Sequence, residues 1–294
     1  SRKAQSAGSP GNCIFDEVSS KKTGSMDQDM DYLEINKKSW NRKIEFHIQS
    51  DFYDQANFLK GKSSLKSIEL DLLGEIKGKN ILHLQCHFGQ DSISLSRLGA
   101  NVTGIDLSDE AIKKANEIAL QTHSNTRFIC CNIYDLPNHL DEQFDIIFTS
   151  YGTIGWLPDL DGWAQIVSQY LKPDGKFIMV DFHPVVWMFD DAFEKIEYCY
   201  FNSGPIIEKE KGSYADRKAP IEQESVGWNH GIGEILNSLI KNGLEINAFE
   251  EFDYSPFNCF HQTVEPSPGK FRIRHLDNKI PMVYSILDTK KSDW

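Results

Sequence analysis

Between residues 80 and 182 the chain alternates short apolar runs with stretches whose apolar residues recur at helical spacing. Asn80-Ile-Leu-His-Leu-Gln reads as a buried strand and residues 91 to 98 as the helix after it. Asn101-Val-Thr-Gly-Ile-Asp is a second strand. Residues 108 to 119 follow as a helix, with Ser108 as N-cap and Asp109 and Glu110 in the first turn, where the helix dipole favours acids. Arg127-Phe-Ile-Cys-Cys-Asn is a third strand and Phe144-Asp-Ile-Ile-Phe-Thr-Ser a fourth. A helix over 163–171, a turn at Pro173-Asp-Gly and a fifth strand, Lys176-Phe-Ile-Met-Val-Asp-Phe, complete the series. Strands separated by helices predict a parallel sheet covered on both faces and wound by right-handed crossovers. Such a sheet binds ligands beyond the carboxyl ends of its strands, where the winding reverses.

The flanks differ. Residues 32 to 59 carry aromatic and aliphatic side chains at helical spacing and predict one or two amphipathic helices that cap a cleft or pad the sheet. Residues 185 to 226 are aromatic-rich, with turn signals at Asn202-Ser-Gly-Pro and Lys211-Gly-Ser, and read as an insertion of short antiparallel strands. A helix over 231–242 and strands over 244–251 and 281–287 follow, the two strands fitting an antiparallel hairpin at the sheet edge. Residues 1–25, rich in Ser, Gly and Lys, read as a disordered tail or expression remnant, with Met26 a possible native start. The expected organisation is one domain over 26–294, with a helical cap at about 30–60 and a β-rich insertion at about 185–226.

Charge narrows the partners. With 31 basic and 43 acidic residues the net charge is -12, which disfavours phosphate backbones and anionic membranes, so no nucleic acid or membrane partner is expected. No apolar run approaches the roughly 20 residues of a membrane span, and no signal-peptide core is present. The six cysteines form no CxxC pair and no zinc-spaced cluster. A cytoplasmic protein with reduced thiols is the expectation. His87 beside Cys86 has no third ligand at useful spacing, so no metal site is expected.

The candidate chemistry sits at the strand ends. The first strand runs through His83-Leu-Gln-Cys-His-Phe-Gly89 into a helix, presenting backbone N–H groups and a positive helix end to a ligand. Only one glycine of the three-glycine dinucleotide fingerprint is present, which counts against pyrophosphate binding. Asp106, ending the second strand, can accept hydrogen bonds from both hydroxyls of a ribose, or else cap the following helix. Asn132 and Ile133, a polar residue beside an apolar one, suit an adenine.

Taken together, residues 79 to 183 resemble the core of class I S-adenosylmethionine-dependent methyltransferases. His83-Leu-Gln-Cys-His-Phe-Gly89 stands at the glycine-rich motif, Val102-Thr-Gly-Ile-Asp106-Leu-Ser at the ribose motif and Asn132-Ile-Tyr-Asp-Leu-Pro137 at the adenine side. Phe144 to Tyr151 matches the fourth-strand motif, and Leu171-Lys-Pro-Asp-Gly-Lys-Phe177 the turn before the fifth strand. LHLQCHFGQD, SYGTIGWLPDL, DFHP and WNHGIGEI are also similar to a bacterial subgroup with no firmly assigned substrate. The resemblance implies a Rossmann-like doubly wound sheet of about seven strands, mostly parallel with an antiparallel last strand. It implies S-adenosyl-L-methionine as cofactor, S-adenosyl-L-homocysteine as product, and cofactor contacts at Gln85, Cys86, His87, Gly89, Asp106, Leu107, Asn132, Ile133 and Ser150. The chain departs from the family at His83, where an acid is usual, at Gln85 and His87, where glycines are usual, and at Asn132, where Asp is frequent.

Methyl transfer from a sulfonium is an in-line displacement that chiefly needs alignment and exclusion of water. A hydroxyl acceptor calls for a base, and His183, beyond the fifth strand, is the first candidate, with a packed histidine as the alternative. Tyr151, beyond the fourth strand, is placed to contact cofactor or acceptor, because the family's corresponding loop borders the methyl group. His230, at the start of a late helix, is a further candidate, with a structural role at that helix's N-terminus as the alternative. Trp156, Trp187, Tyr214 and Trp228 can wall an apolar pocket or serve the core, and Trp40 and Tyr53 suit a lid. The expected acceptor is a small molecule. The competing readings are a nicotinamide oxidoreductase and a non-catalytic adenosyl-ligand-binding protein of the same fold.

Overall fold

A computed structural model describes residues 31–291 of the chain; the tail expected over 1–25, and Met26, lie outside the described residues. The chain opens with three helices, α1 (Tyr32–Gln49), α2 (Gln55–Leu59) and α3 (Ser67–Leu73). An alternating series follows: β1 (Asn80–His83), α4 (Gln90–Arg97), β2 (Asn101–Asp106), α5 (Asp109–Gln121), β3 (Arg127–Cys130), β4 (Phe144–Ser150), α6 (Leu160–Tyr170) and β5 (Leu171–Phe182). Next come β6 (Ile206–Lys211), β7 (Glu222–Gly227), α7 (Ile232–Lys241), β8 (Leu244–Phe252), β9 (Thr263–Ser267), β10 (Lys270–Ile273) and β11 (Val283–Lys290). Among the described residues no helix is long and apolar enough to cross a membrane.

Seven strands form one sheet in the order β3-β2-β1-β4-β5-β11-β8. The first five run parallel, and β11 is antiparallel to both β5 and β8. This is the Rossmann-like doubly wound sheet, with its reversal between β1 and β4. Both faces are covered. Trp163 of α6 and Ile235 and Leu239 of α7 pack on Leu82, Ile147, Phe177 and Tyr284. Leu73 of α3 and Leu95 of α4 lie against Ile81, Val102, Ile146 and Phe148 on the other face. Phe148, Ile147 and Leu82 are fully buried, each worth about 1.5–3 kcal/mol relative to exposure. Continuous apolar runs in β1, β4 and β5 are what burial on two faces demands.

Local signals act as their residues require, with some shifts. Ser108 caps α5, its hydroxyl accepting from Ala111 N at 3.0 Å. Helix α6 begins at Leu160, ahead of the expected 163, because Asp159 accepts from Gly162 N at 3.0 Å. The Pro173-Asp-Gly turn is absorbed into β5 as a bulge: Leu171 pairs with Phe144 and Lys176 with Ile146, leaving four residues opposite one. The last sheet strands do pair antiparallel, but not as a tight hairpin. Thirty residues separate β8 from β11 and carry a two-stranded sheet of their own, β9 with β10. In the region expected as an insertion, β6 and β7 form an antiparallel pair.

Candidate active site

The chain leaves β1 still bonded to its neighbours, Leu84 N to Phe148 O and Cys86 N to Ile105 O. It then turns sharply into α4 through three left-handed residues, Gln85 (φ 53°), His87 (φ 52°) and Gly89 (φ 80°). Gln85 and His87, the two side chains where the family usually has glycine, therefore keep glycine's backbone conformation, at a cost of order 1 kcal/mol each. Gly89 is required twice: by its φ, and because a Cβ there would lie 2.5 Å from the Phe128 ring.

Asp106 closes the other side of the loop. Its Oδ2 accepts from His87 N at 2.8 Å and its Oδ1 from Ser108 N at 2.9 Å. Burial pushes the carboxyl up to about 6, against the restraint of backbone N–H bonds from Ser108, His87 and Leu107. Oδ2 takes the His87 donor and Oδ1 the Ser108 donor, and each oxygen keeps lone-pair capacity. Cys86 is buried beneath the turn, and Leu107 follows the acid half-buried. Beyond β3, Asn132 Oδ1 accepts from Tyr134 N at 3.2 Å and caps a short 3-10 turn, and Ile133 beside it is buried.

The loop after β4 is fastened by an acid. Asp181, buried at the end of β5, accepts from the backbone N–H groups of Gly152, Thr153 and Ile154 and from the Thr153 hydroxyl. Asp181 is thus committed to holding this loop. Gln85 Nε2 donates to Thr153 O at 2.9 Å and joins the two loops, while Gln85 Oε1 is buried and has no hydrogen-bond partner among the described residues. Ser150 donates to Asp91 Oδ2 at 3.2 Å. Tyr151 donates to Glu69 Oε2 of α3 at 2.9 Å, and burial, then the charge of Asp91, pushes the Glu69 carboxyl up to about 7.

His183 is placed differently. It is buried, its Nδ1 accepts from Val185 N at 3.2 Å, and its Nε2 lies 2.8 Å from Glu251 Oε1 of β8. Its backbone N–H bonds to Met282 O. These contacts hold the end of β5 against β8 and the start of β11, on the far side of β5 from the loop after β1. His230 is bonded to Leu157 O at 2.7 Å and sits 3.1 Å from Glu234, so it fastens the start of α7.

Helix α1 lies across the loop ends. Asn41 contacts Ser108 Oγ and Asp109, and Lys37 pairs with Asp109 at 3.0 Å, directly beyond Asp106. His47 reaches His87 at 3.0 Å and Ser213 at 3.1 Å. Lys43, buried, pairs with Glu210 and lies over the Trp40 and Trp156 rings. Tyr53 and Tyr214 share a hydroxyl contact, and Asn36 bonds both ways to the Val226 backbone of β7. Of the aromatic residues expected at the site, the structure brings Trp40, Tyr53, Trp156 and Tyr214 together around His47 and His87. Trp228 stacks edge-on with Tyr32, and Trp187 packs on Phe182 and Phe260. Asp91, Glu69, His47 and Lys43 were not legible as site residues, since an isolated polar residue on an amphipathic helix reads as a solvated face.

The methyltransferase domain family matches residues 75–225, and the chain belongs to it. It is 25% identical over 236 residues to the uncharacterized methyltransferase YbaJ of Bacillus subtilis, covering 74% of this chain and 89% of that one. It is 27% identical over 149 residues to a ubiquinone biosynthesis O-methyltransferase of Chromobacterium violaceum, covering half of this chain and 61% of that relative. The fold superposes on an S-adenosylmethionine-dependent methyltransferase from Mesorhizobium loti with a TM-score of 0.56 at 23% identity, covering 79% of this chain and 100% of the other.

Proposed function

We propose that the protein transfers the methyl group of S-adenosyl-L-methionine to a small-molecule acceptor. The observation that carries this reading is the Asp106 carboxylate at the tip of β2. Backbone N–H groups on both sides hold it in place, and its remaining lone pairs suit the paired hydroxyls of a ribose. The buried Gln85 Oε1, without a hydrogen-bond partner among the described residues, and the tight left-handed turn of Gln85 and His87 fit the same cofactor, since an orphaned buried acceptor is otherwise costly.

In this reading Asp106 holds the ribose, Leu107, Asn132 and Ile133 border the adenine, and Gln85, Cys86, His87, Gly89 and Ser150 line the path between strand tips. Bound there, S-adenosyl-L-methionine supplies an electrophilic methyl on a sulfonium. Tyr151, on the loop fastened by Asp181, faces the acceptor side and keeps its phenol oriented through Glu69. His183, engaged with Glu251, holds the sheet edge. Helix α1 and Tyr214 keep water from the cleft, which alignment-driven transfer requires. The aromatic roof and a net charge of -12 favour a small acceptor, and relatives named for ubiquinone biosynthesis accord with one.

Titration calorimetry of Asp106→Ala with S-adenosylhomocysteine tests the reading. Removing a charged two-point acceptor is expected to weaken binding about tenfold or more. Unchanged affinity would remove Asp106 from the site.

A further inference from the structure

Beside the tips of β1 and β4 stands a set of charged side chains outside the strand-tip motifs. Asp91, in the first turn of α4, accepts from Ser150 Oγ at 3.2 Å and remains partly open to solvent. Desolvation dominates the proton affinity of Lys66, Glu69, His83, Tyr53 and Tyr151, and in all five the negative charge of Asp91 favours the protonated form. Ser150, which holds Asp91, is followed by Tyr151, whose hydroxyl meets Glu69, and Glu69 in turn accepts from Lys66 N, so α3, α4 and the loop after β4 converge at this carboxylate. Glu69 is occupied, bonded to Lys66 N at 2.8 Å and to the Tyr151 hydroxyl.

Lys66 is the counterpart. Its ammonium lies 4.6 Å from the Phe257 ring centroid, half-buried, and among the described residues it has no carboxylate within ion-pair distance. A half-buried cation with no carboxylate in direct contact is open to one that a ligand supplies. His83, at the very tip of β1, offers no charge: it is turned inward onto Ser92 Oγ at 2.7 Å, and burial lowers it to about 4, so it is neutral at physiological pH.

The proposed cofactor ends in an amino acid, with an ammonium and a carboxylate on one carbon. Binding that end out of water needs one anionic and one cationic partner close together. The geometry points to Asp91 and Lys66 as that pair, Asp91 taking the ammonium beside Ser150 and Lys66 taking the carboxylate. The inference rests on the cofactor reading above and assigns residues to it that lie outside the strand-tip loop. It also gives a reason for the crowding of Asp91 with Glu69, since an incoming ammonium relieves the repulsion between two carboxylates.

The test compares S-adenosylhomocysteine with 5′-methylthioadenosine, which keeps the adenosine and the sulfur but lacks the amino-acid end. In Asp91→Asn the amide oxygen still accepts from Ser150, so the fold is retained and an unchanged thermal midpoint verifies it. Calorimetry is expected to show S-adenosylhomocysteine bound about tenfold or more weakly by Asp91→Asn, with methylthioadenosine affinity unaltered. Lys66→Gln is expected to show the same selective loss. Wild-type affinity for S-adenosylhomocysteine in both variants, or an equal loss for both ligands, overturns the assignment. If the wild-type protein binds neither ligand, it is the cofactor reading that fails, and this inference goes with it.

Discussion

Nδ1 of His47, on α1, lies 3.0 Å from Nε2 of His87, in the turn between β1 and α4. The second nitrogen of His47 meets Ser213 in the β6–β7 segment at 3.1 Å. One imidazole therefore joins the N-terminal helix, the strand-tip loop and the segment after β5. Burial lowers His47 to about 2, with smaller contributions from His87 and Lys43, and burial lowers His87 to about 3, with Lys43 adding to it. Both rings are neutral at physiological pH, so one donates and the other accepts.

The pH dependence follows from this. Unfolded, each histidine takes a proton near its ordinary value of about 6.5. Folded, it stays neutral until far lower pH. Stability contributed by the neutral pair is thus full above about 6.5 and falls as the pH drops below it. His47→Gln is expected to lose about 1–3 kcal/mol at pH 7.5 through its buried partners. Its deficit should shrink between pH 6.5 and 5, read as thermal midpoints of variant and wild type. A deficit constant over that range would show that His47 does not titrate on unfolding.

Asp106 predicts a pH dependence of binding. Its carboxyl is raised to about 6 by burial, so a proton arrives within reach of ordinary buffers. Protonation turns one acceptor oxygen into a donor and removes the charge. Affinity for S-adenosylhomocysteine is expected to be level above pH 7 and to decline below about 6, when measured by calorimetry. In Asp106→Ala the residual affinity should lose that dependence.

Asp288 of β11 is completely buried, neither oxygen has a hydrogen-bond partner among the described residues, and burial raises it to about 8. Between its unfolded value near 3.9 and about 8 the folded protein keeps a proton that the unfolded chain releases. Stability therefore falls as pH rises through that window, by up to about 1.4 kcal/mol per unit. Asp288→Asn removes the titration. Its thermal midpoint is expected to exceed that of the wild type at pH 8 and to approach it near pH 5; parallel curves would mean the carboxyl stays ionised in the fold.

Much of the sheet was legible from residue pattern because two-sided burial leaves a continuous apolar run that few other environments tolerate. Asn80 to Leu84, Phe144 to Ser150 and Lys176 to Phe182 are such runs, and a helix cap such as Ser108 acts within one turn of chain. The β9–β10 hairpin was not legible, because its half-buried strands carry Glu265, Pro266 and Arg272 and no clean alternation.

At the site, local chemistry determined what a single segment can offer: the turn after β1, the acid ending β2, the polar and apolar pair after β3. The chain alone could not say which of these groups remain free. Asp181 and His183 lie two residues apart at the end of one strand, yet one fastens the loop after β4 and the other faces Glu251. Likewise Lys66 and Glu69, bonded to each other at the start of α3, meet Asp91 only when α3 and α4 pack on the same face of the sheet. Hydrogen bonds and ion pairs act over a few ångströms of space, not along the sequence. Tertiary packing therefore decided which candidate groups became scaffold and which were left to meet a ligand.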